Sequence, residues 1–284
     1  MSVQAAVTAE PAETERFQTD RVVTISAGHA VHDTYTGFLA PLLPAFIEIF
    51  SLTKAEAGLL TVFNQAPSLT QPFIGYLADR ASLRYLVLLT PAVTATAMSL
   101  LGVAPSYAVM ALMLMVAGLS SATLHSVGPV IAGRFSGKRL GRGMGIWMVG
   151  GELGRTVGPL VIATYFRFWP DDLSLTPWLM VGGWLTSLFL FIRLRHVDVR
   201  PPNPEHGLPW RQALRVMGSL LVPLAAIIFA RSFLSSALTT YLPTFLAEEG
   251  TELWLAGIAL AVLEAAGVVG ALLGGSSSDR LGRR

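Results

Sequence analysis

Eight apolar stretches occupy most of the chain between Val22 and Gly274, and each has the length, about 20 residues, that a helix needs to cross a bilayer. They run Val22–Phe50, Ala55–Leu77, Tyr85–Val103, Tyr107–Gly133, Gly143–Phe166, Trp178–Ile192, Gly218–Leu246 and Leu253–Gly274. Only 13% of the residues are charged, against roughly 25% in soluble domains. A backbone in lipid must satisfy its own hydrogen bonds, and stretches of this length do so as helices. The expected fold is therefore an all-α integral membrane protein. The absence of cysteine excludes disulfide frameworks, thiol nucleophiles and Cys-ligated metals. Residues 1–20 are acidic and lack an apolar stretch, so they read as a disordered cytoplasmic tail rather than a secretory signal.

Loop charges set the expected orientation. With the amino terminus in the cytoplasm, Lys54 and Arg167 are the only basic loop residues on the outside, beside Glu48, Glu56, Asp171, Asp172, Glu248, Glu249 and Glu252. Every other loop arginine and lysine falls inside, as the positive-inside rule demands. The expectation is a multi-pass protein of a bacterial-type inner membrane. The longest connection, from about Arg193 to Met217, has RPPNPEHG at its centre, which excludes a spanning helix. Its Trp210–Met217 end is expected to lie on the membrane surface as a short basic amphipathic helix.

The two ends of the chain repeat each other. Gly75-Tyr76-Leu77-Ala78-Asp79-Arg80, with Arg84 beyond it, recurs as Gly275-Ser276-Ser277-Ser278-Asp279-Arg280, followed by Leu281, Gly282, Arg283 and Arg284. Leu43-Pro44-Ala45-Phe46 likewise matches Leu242-Pro243-Thr244-Phe245. A Gly-x-x-x-Asp-Arg-x-Gly-Arg-Arg turn between hydrophobic helices resembles the loop signature of the major facilitator superfamily of secondary transporters, although the first copy departs at Ser82 and Leu83. The resemblance implies a bundle of two six-helix halves, built as parallel repeats with the substrate site between them near the midplane. On that plan residues 21–194 form the first half, 195–217 the cytoplasmic linker and 218–284 the start of the second half. Only two spans follow the linker, so the chain is expected to be the first two-thirds of a twelve-helix transporter, with a genuine eight-span protein as the alternative. By the same resemblance, Asp79 and Asp279 are cytoplasmic loop residues that latch the outward-open state by accepting helix N–H bonds or pairing with arginine, Arg134 among them.

Ionisable groups inside the membrane point to function, because a charged Asp, Lys or Arg at a helix centre costs at least about 2.5 kcal/mol. His29, His32, Asp33, His125, Glu152, Arg155, Arg231 and Glu264 are the candidates for substrate binding or proton coupling. His29, His32 and Asp33 sit at i, i+3 and i+4 and share a helix face, either as a proton relay and substrate contact or as helix-helix hydrogen bonds. Glu152 and Arg155, at i and i+3, are placed to neutralise one another. Arg231 is either an anion contact or a partner of Asp33 or Glu264. Glu264 is either a proton carrier or that structural pair, and its repeat counterpart is Asn64.

In the fifth span Gly145, Gly154 and Gly158-Pro159 resemble the superfamily's antiporter motif, which implies exchange of substrate for protons; close packing alone explains the same glycines. His125 after Gly118-Leu119-Ser120-Ser121-Ala122-Thr123-Leu124, the His32-Asp33 pair and Gly150-Gly151 resemble the fosmidomycin-resistance branch. The chain reads Ser126-Val127 where that branch has proline and an acidic residue.

These features lead to an expected secondary active transporter, not an enzyme: proton-coupled efflux of small amphipathic or anionic compounds by alternating access. An importer of a small organic anion is the alternative on the same fold, and a metalloenzyme using His29, His32, Asp33 and His125 is the rival from another class. No cofactor or metal is assigned, the proton being the coupling ion. The expected partners are the bilayer and a small-molecule substrate, with no nucleic acid, and the full-length protein is expected to be a monomer.

Overall fold

The computed structural model describes residues 16–78, 83–170, 172–195 and 210–281, and their secondary structure is entirely helical. The first span divides into Thr19–Thr36 and Leu39–Phe50. Pro41 explains the break, since it has no N–H for the Gly37 carbonyl four residues back. The second span begins at a capping box: the Thr53 hydroxyl accepts from the Glu56 N–H at 3.2 Å, and the Glu56 carboxylate accepts from the Thr53 N–H at 2.8 Å. It runs Lys54–Gln65, tightens to a 3₁₀ turn over Ala66–Thr70 and resumes as Gln71–Ala78, with Pro67 and Pro72 interrupting the ladder.

The third span is Arg84–Ser99 with a 3₁₀ end at Leu100–Val103, the fourth Tyr107–Phe135 and the fifth Leu140–Phe168. The sixth opens with a 3₁₀ turn, Thr176–Leu179, and continues as Met180–Leu194. Trp210–Glu248 and Leu253–Leu281 are the seventh and eighth. Among the described residues four helices are long and apolar enough to cross a membrane by themselves: Arg84–Val103, Tyr107–Phe135, Thr176–Leu194 and Leu221–Glu248. The first and second spans are broken, the fifth carries charge, and the eighth is apolar over the shorter Leu253–Val269. These four spans all line the polar cavity described below, together with the seventh.

Two expectations need correction. Trp210–Met217 is not a separate surface helix, because the ladder passes through Gly218 without a break and joins it to the seventh span. At 1.5 Å per residue the combined helix is about 58 Å long, well beyond the ~30 Å hydrocarbon core. Gly275–Arg280 is not a loop either; the Gly and Ser residues do not stop the eighth helix, which carries Asp279 inside it to Leu281. Gly75 lies in the Gln71–Ala78 helix. Asp79, Arg80, Gly282, Arg283 and Arg284 lie outside the described residues, as does most of the linker.

Two buried apolar clusters organise the first six spans. One gathers Phe38, Leu42, Phe46, Leu101, Met110 and Tyr165; the other gathers Ile25, Leu88, Leu124, Phe135, Trp147 and Leu190. His29, His32 and Asp33 fall between them along the first span, all buried. The fifth span reaches this region through small residues. A Cβ on Gly150 would lie 2.5 Å from the Ser26 carbonyl, and a Cβ on Gly158 3.0 Å from the Gly37 Cα, so the two backbones are nearly touching. Gly154 packs on Ala30 in the same seam, whereas Gly145 has nothing within 4 Å.

The seventh span joins the first six at one end. Thr240, Pro243 and Thr244 are buried, while residues 222–238 are exposed. Lys54 pairs with Glu248 at 2.8 Å, and the Tyr241 hydroxyl donates to the Lys54 carbonyl at 3.1 Å. Nearby, Arg167 stacks over Trp254 at 5.4 Å, and Gly257 lets the eighth span pack on Ala163.

Candidate functional site: a histidine–carboxylate knot and an adjoining arginine cavity

Helical spacing places His29 and Asp33 one turn apart, 3.2 Å between Nε2 and Oδ2. The fourth span adds His125, whose Nε2 lies 3.3 Å from His29 Nε2 and 3.8 Å from Asp33 Oδ2. The fifth adds Trp147, stacked on the His29 ring with centroids 3.9 Å apart. A Cβ on Gly151 would come within 2.5 Å of His29 Cε1, so a glycine is needed there for the ring to fit.

Hydrogen-bond accounting assigns the rings. His29 Nδ1 is 3.0 Å from the Trp147 carbonyl, and His125 Nδ1 is 2.9 Å from the Ser121 carbonyl. A carbonyl only accepts, so both Nδ1 atoms carry hydrogen and donate. In the neutral rings both Nε2 atoms are then lone pairs, aimed at each other and at the Asp33 carboxylate. Three acceptors meet at one point, and a proton on one ring or a metal ion resolves the conflict. His32 Nδ1 donates to the other carboxylate oxygen of Asp33 at 2.9 Å, leaving its buried Nε2 without a partner among the described residues.

A second polar group lies beside the knot. Arg155 pairs with Glu152 on its own helix and with Glu264 on the eighth span, 3.6 Å from Nε. Arg155 and Glu264 line a cavity of about 610 Å³ together with Arg231 of the seventh span. Thr36, Thr61, Asn64, Gln65, Ser232, Ser235, Ser236 and Thr239 complete its polar wall. Arg231 forms no ion pair among the described residues. Two cations and a row of hydroxyls suit a small polar molecule bearing an anionic oxygen group.

The sequence matches the family model of the Major Facilitator Superfamily over residues 25–284. The chain belongs to the major facilitator superfamily. It is 25% identical over 270 residues to the fosmidomycin resistance protein of Escherichia coli (strain K12), a match covering 92% of this chain and 65% of that relative. It is 28% identical over 145 residues to an uncharacterized MFS-type transporter, YfnC, of Bacillus subtilis (strain 168), covering 50% of this chain and 35% of the relative. In fold it is similar to a bacterial homologue of the human lysosomal transporter Spinster, crystallised inward-facing and unoccupied, with a TM-score of 0.70 at 17% identity. That likeness covers 94% of this chain and 63% of the other. The chain thus spans somewhat less than two-thirds of the length of the fosmidomycin resistance protein and of this structural neighbour.

The superfamily bundle sorts the expected site residues into two groups. His29, His32, Asp33 and His125 form the knot, whereas Glu152, Arg155, Arg231 and Glu264 belong to the cavity side. Arg231 pairs with neither Asp33 nor Glu264, because the histidines hold the first and Arg155 the second. Asn64, the repeat counterpart of Glu264, lines the same cavity. Trp147 went unnoticed in the sequence: an aromatic residue in an apolar helix carries no signal of stacking on a histidine from another span.

Proposed function

We propose that this superfamily member is a secondary active transporter that carries a small polar substrate with an anionic group through the Arg155–Arg231 cavity by alternating access, coupled to a proton at Glu264. The supporting observation is that Arg155 is shared between Glu152 and Glu264 on facing spans, while Arg231 lines the same cavity with no ion pair among the described residues. Protonation of Glu264 removes one carboxylate competing for Arg155. An anionic group then has both guanidinium groups to bind, with Glu152 left as the internal counter-ion.

The direction depends on what touches Glu264. A substrate that offers Glu264 a cationic or hydrogen-bond-donating group competes with the proton, and such competition gives exchange and export. Export is the leading assignment, favoured by the relative whose name is fosmidomycin resistance protein. A purely anionic substrate instead gains from protonation, travels with the proton and is imported. The Arg155–Glu264 pair favours this second assignment. Counterflow in proteoliposomes tests the shared premise: vesicles preloaded with fosmidomycin should transiently accumulate the labelled compound, and Arg231→Ala should abolish accumulation. Equal labelling of protein-free vesicles would exclude a carrier for this probe.

A further inference from the structure

We infer that His29, Asp33 and His125 form a binding site for one divalent transition-metal ion. The argument is geometric. At Zn–N bonds of about 2.0–2.1 Å, two ligand atoms of a tetrahedral site are separated by roughly 3.3 Å. The three convergent atoms here, His29 Nε2, His125 Nε2 and Asp33 Oδ2, are separated by 3.3, 3.2 and 3.8 Å. Small movements of half-buried His125 bring all three to coordination distance of one centre.

The surroundings are those of a metal site. A ligating histidine usually donates its other ring N–H to a carbonyl or carboxylate, which fixes the tautomer and turns the free lone pair to the metal. Both rings do so, His29 to Trp147 and His125 to Ser121. Asp33 is held in the same way, its second oxygen accepting from His32. Three lone pairs facing one another are otherwise an unfavourable arrangement, and a divalent cation answers all three at once. Two imidazoles and one carboxylate suit zinc, cobalt or nickel better than the hard cations magnesium and calcium, which prefer oxygen.

The way in is the His125 side chain, 36% exposed where the other two ligands are nearly sealed. Three protein ligands leave a fourth position for water, so the ion exchanges rather than being locked in place. A bound ion would tie the first span to the fourth beside the fifth-span seam. The assignment stands apart from the transport proposal, which uses Glu264 and the arginines.

Cobalt is the probe, because a tetrahedral Co²⁺ centre absorbs visibly. The chain is purified without a polyhistidine tag, in a His196→Ala, His206→Ala background, so that its remaining histidines are the three in the membrane. One Co²⁺ per chain with tetrahedral d–d bands is expected, displaced by Zn²⁺ and lost in Asp33→Asn and in His125→Ala. X-ray absorption on the chain with its knot intact gives an independent count, with two imidazole ligands expected, so a poorly folding variant does not decide the matter. Absence of tetrahedral bands, or bands that survive both substitutions, overturns the metal site and means that a proton alone resolves the knot. Either outcome leaves fosmidomycin counterflow unaffected as a test of transport.

Discussion

Glu264 of the eighth span lies 3.6 Å from Arg155 of the fifth, an ion pair that ties these two spans together at the cavity wall. The pair is partly shielded, with the Glu264 side chain 17% exposed. Replacing Glu264 by glutamine imitates its protonated form without changing its size. Glu264→Gln is therefore expected to bind a purely anionic probe more tightly than the parent at neutral pH, to bind a probe that donates to Glu264 more weakly, and to lose the pH dependence of binding in both cases. Titration of a phosphonate and of a donor-bearing probe at several pH values reads these effects; an unchanged pH profile would place the coupling proton elsewhere.

Arg231 has no counter-ion among the described residues, and the proposal gives its charge to substrate. A hydrogen bond to a charged group contributes about 1.5–3 kcal/mol, or roughly 10- to 150-fold in affinity. Arg231→Ala should weaken an anionic probe by that factor. Arg231→Lys should recover only part of the loss, because lysine lacks the bidentate fork. Equal binding by all three proteins would remove Arg231 from the site.

The glycines of the fifth span separate packing from motif. Gly151→Ala places a methyl group 2.5 Å from the His29 ring, whereas Gly145→Ala projects into open space. Overpacking typically costs about 1–3 kcal/mol. Thermal unfolding in detergent should fall by several degrees for Gly151→Ala and stay level for Gly145→Ala. The reverse order would contradict the observed seam between the first and fifth spans.

The capping box of the second span has a definite pH signature. Hydrogen bonds from the Thr53 backbone and hydroxyl hold the Glu56 carboxyl below its ordinary 4.5. A depressed carboxylate stabilises the folded state above its unfolded pKa, and that contribution is lost as pH falls through the lower folded value. Thr53→Ala is expected to cost about 0.5–2 kcal/mol at pH 7 through the lost cap. Its penalty should shrink as the solution is acidified below the ordinary carboxylate range. A penalty that stays constant down to acid would show that Glu56 takes no part in the cap.

Local relationships were the legible ones. The i, i+4 spacing of His29 and Asp33 and the i, i+3 spacing of Glu152 and Arg155 follow from helix geometry and appear as contacts. Relationships between helices were not legible. Nothing in the sequence says that Arg155 faces Glu264 rather than Arg231 facing it, because the rotation of one span against another depends on small-residue packing across the seam. Helix ends were also opaque where two effects compete. Pro223, inside the seventh helix, does not end it, and Gly274-Gly275 does not end the eighth, while Pro41 breaks the first span.

Luminal pH in proteoliposomes offers the most direct test of proton coupling at Glu264. External fosmidomycin is added to vesicles holding a pH-sensitive dye, with the parent protein and Glu264→Gln compared at equal protein content. The account predicts a substrate-dependent pH change with the parent protein and none with Glu264→Gln; alkalinisation marks exchange and export, acidification co-transport and import. An equal pH change from both proteins would contradict coupling at Glu264.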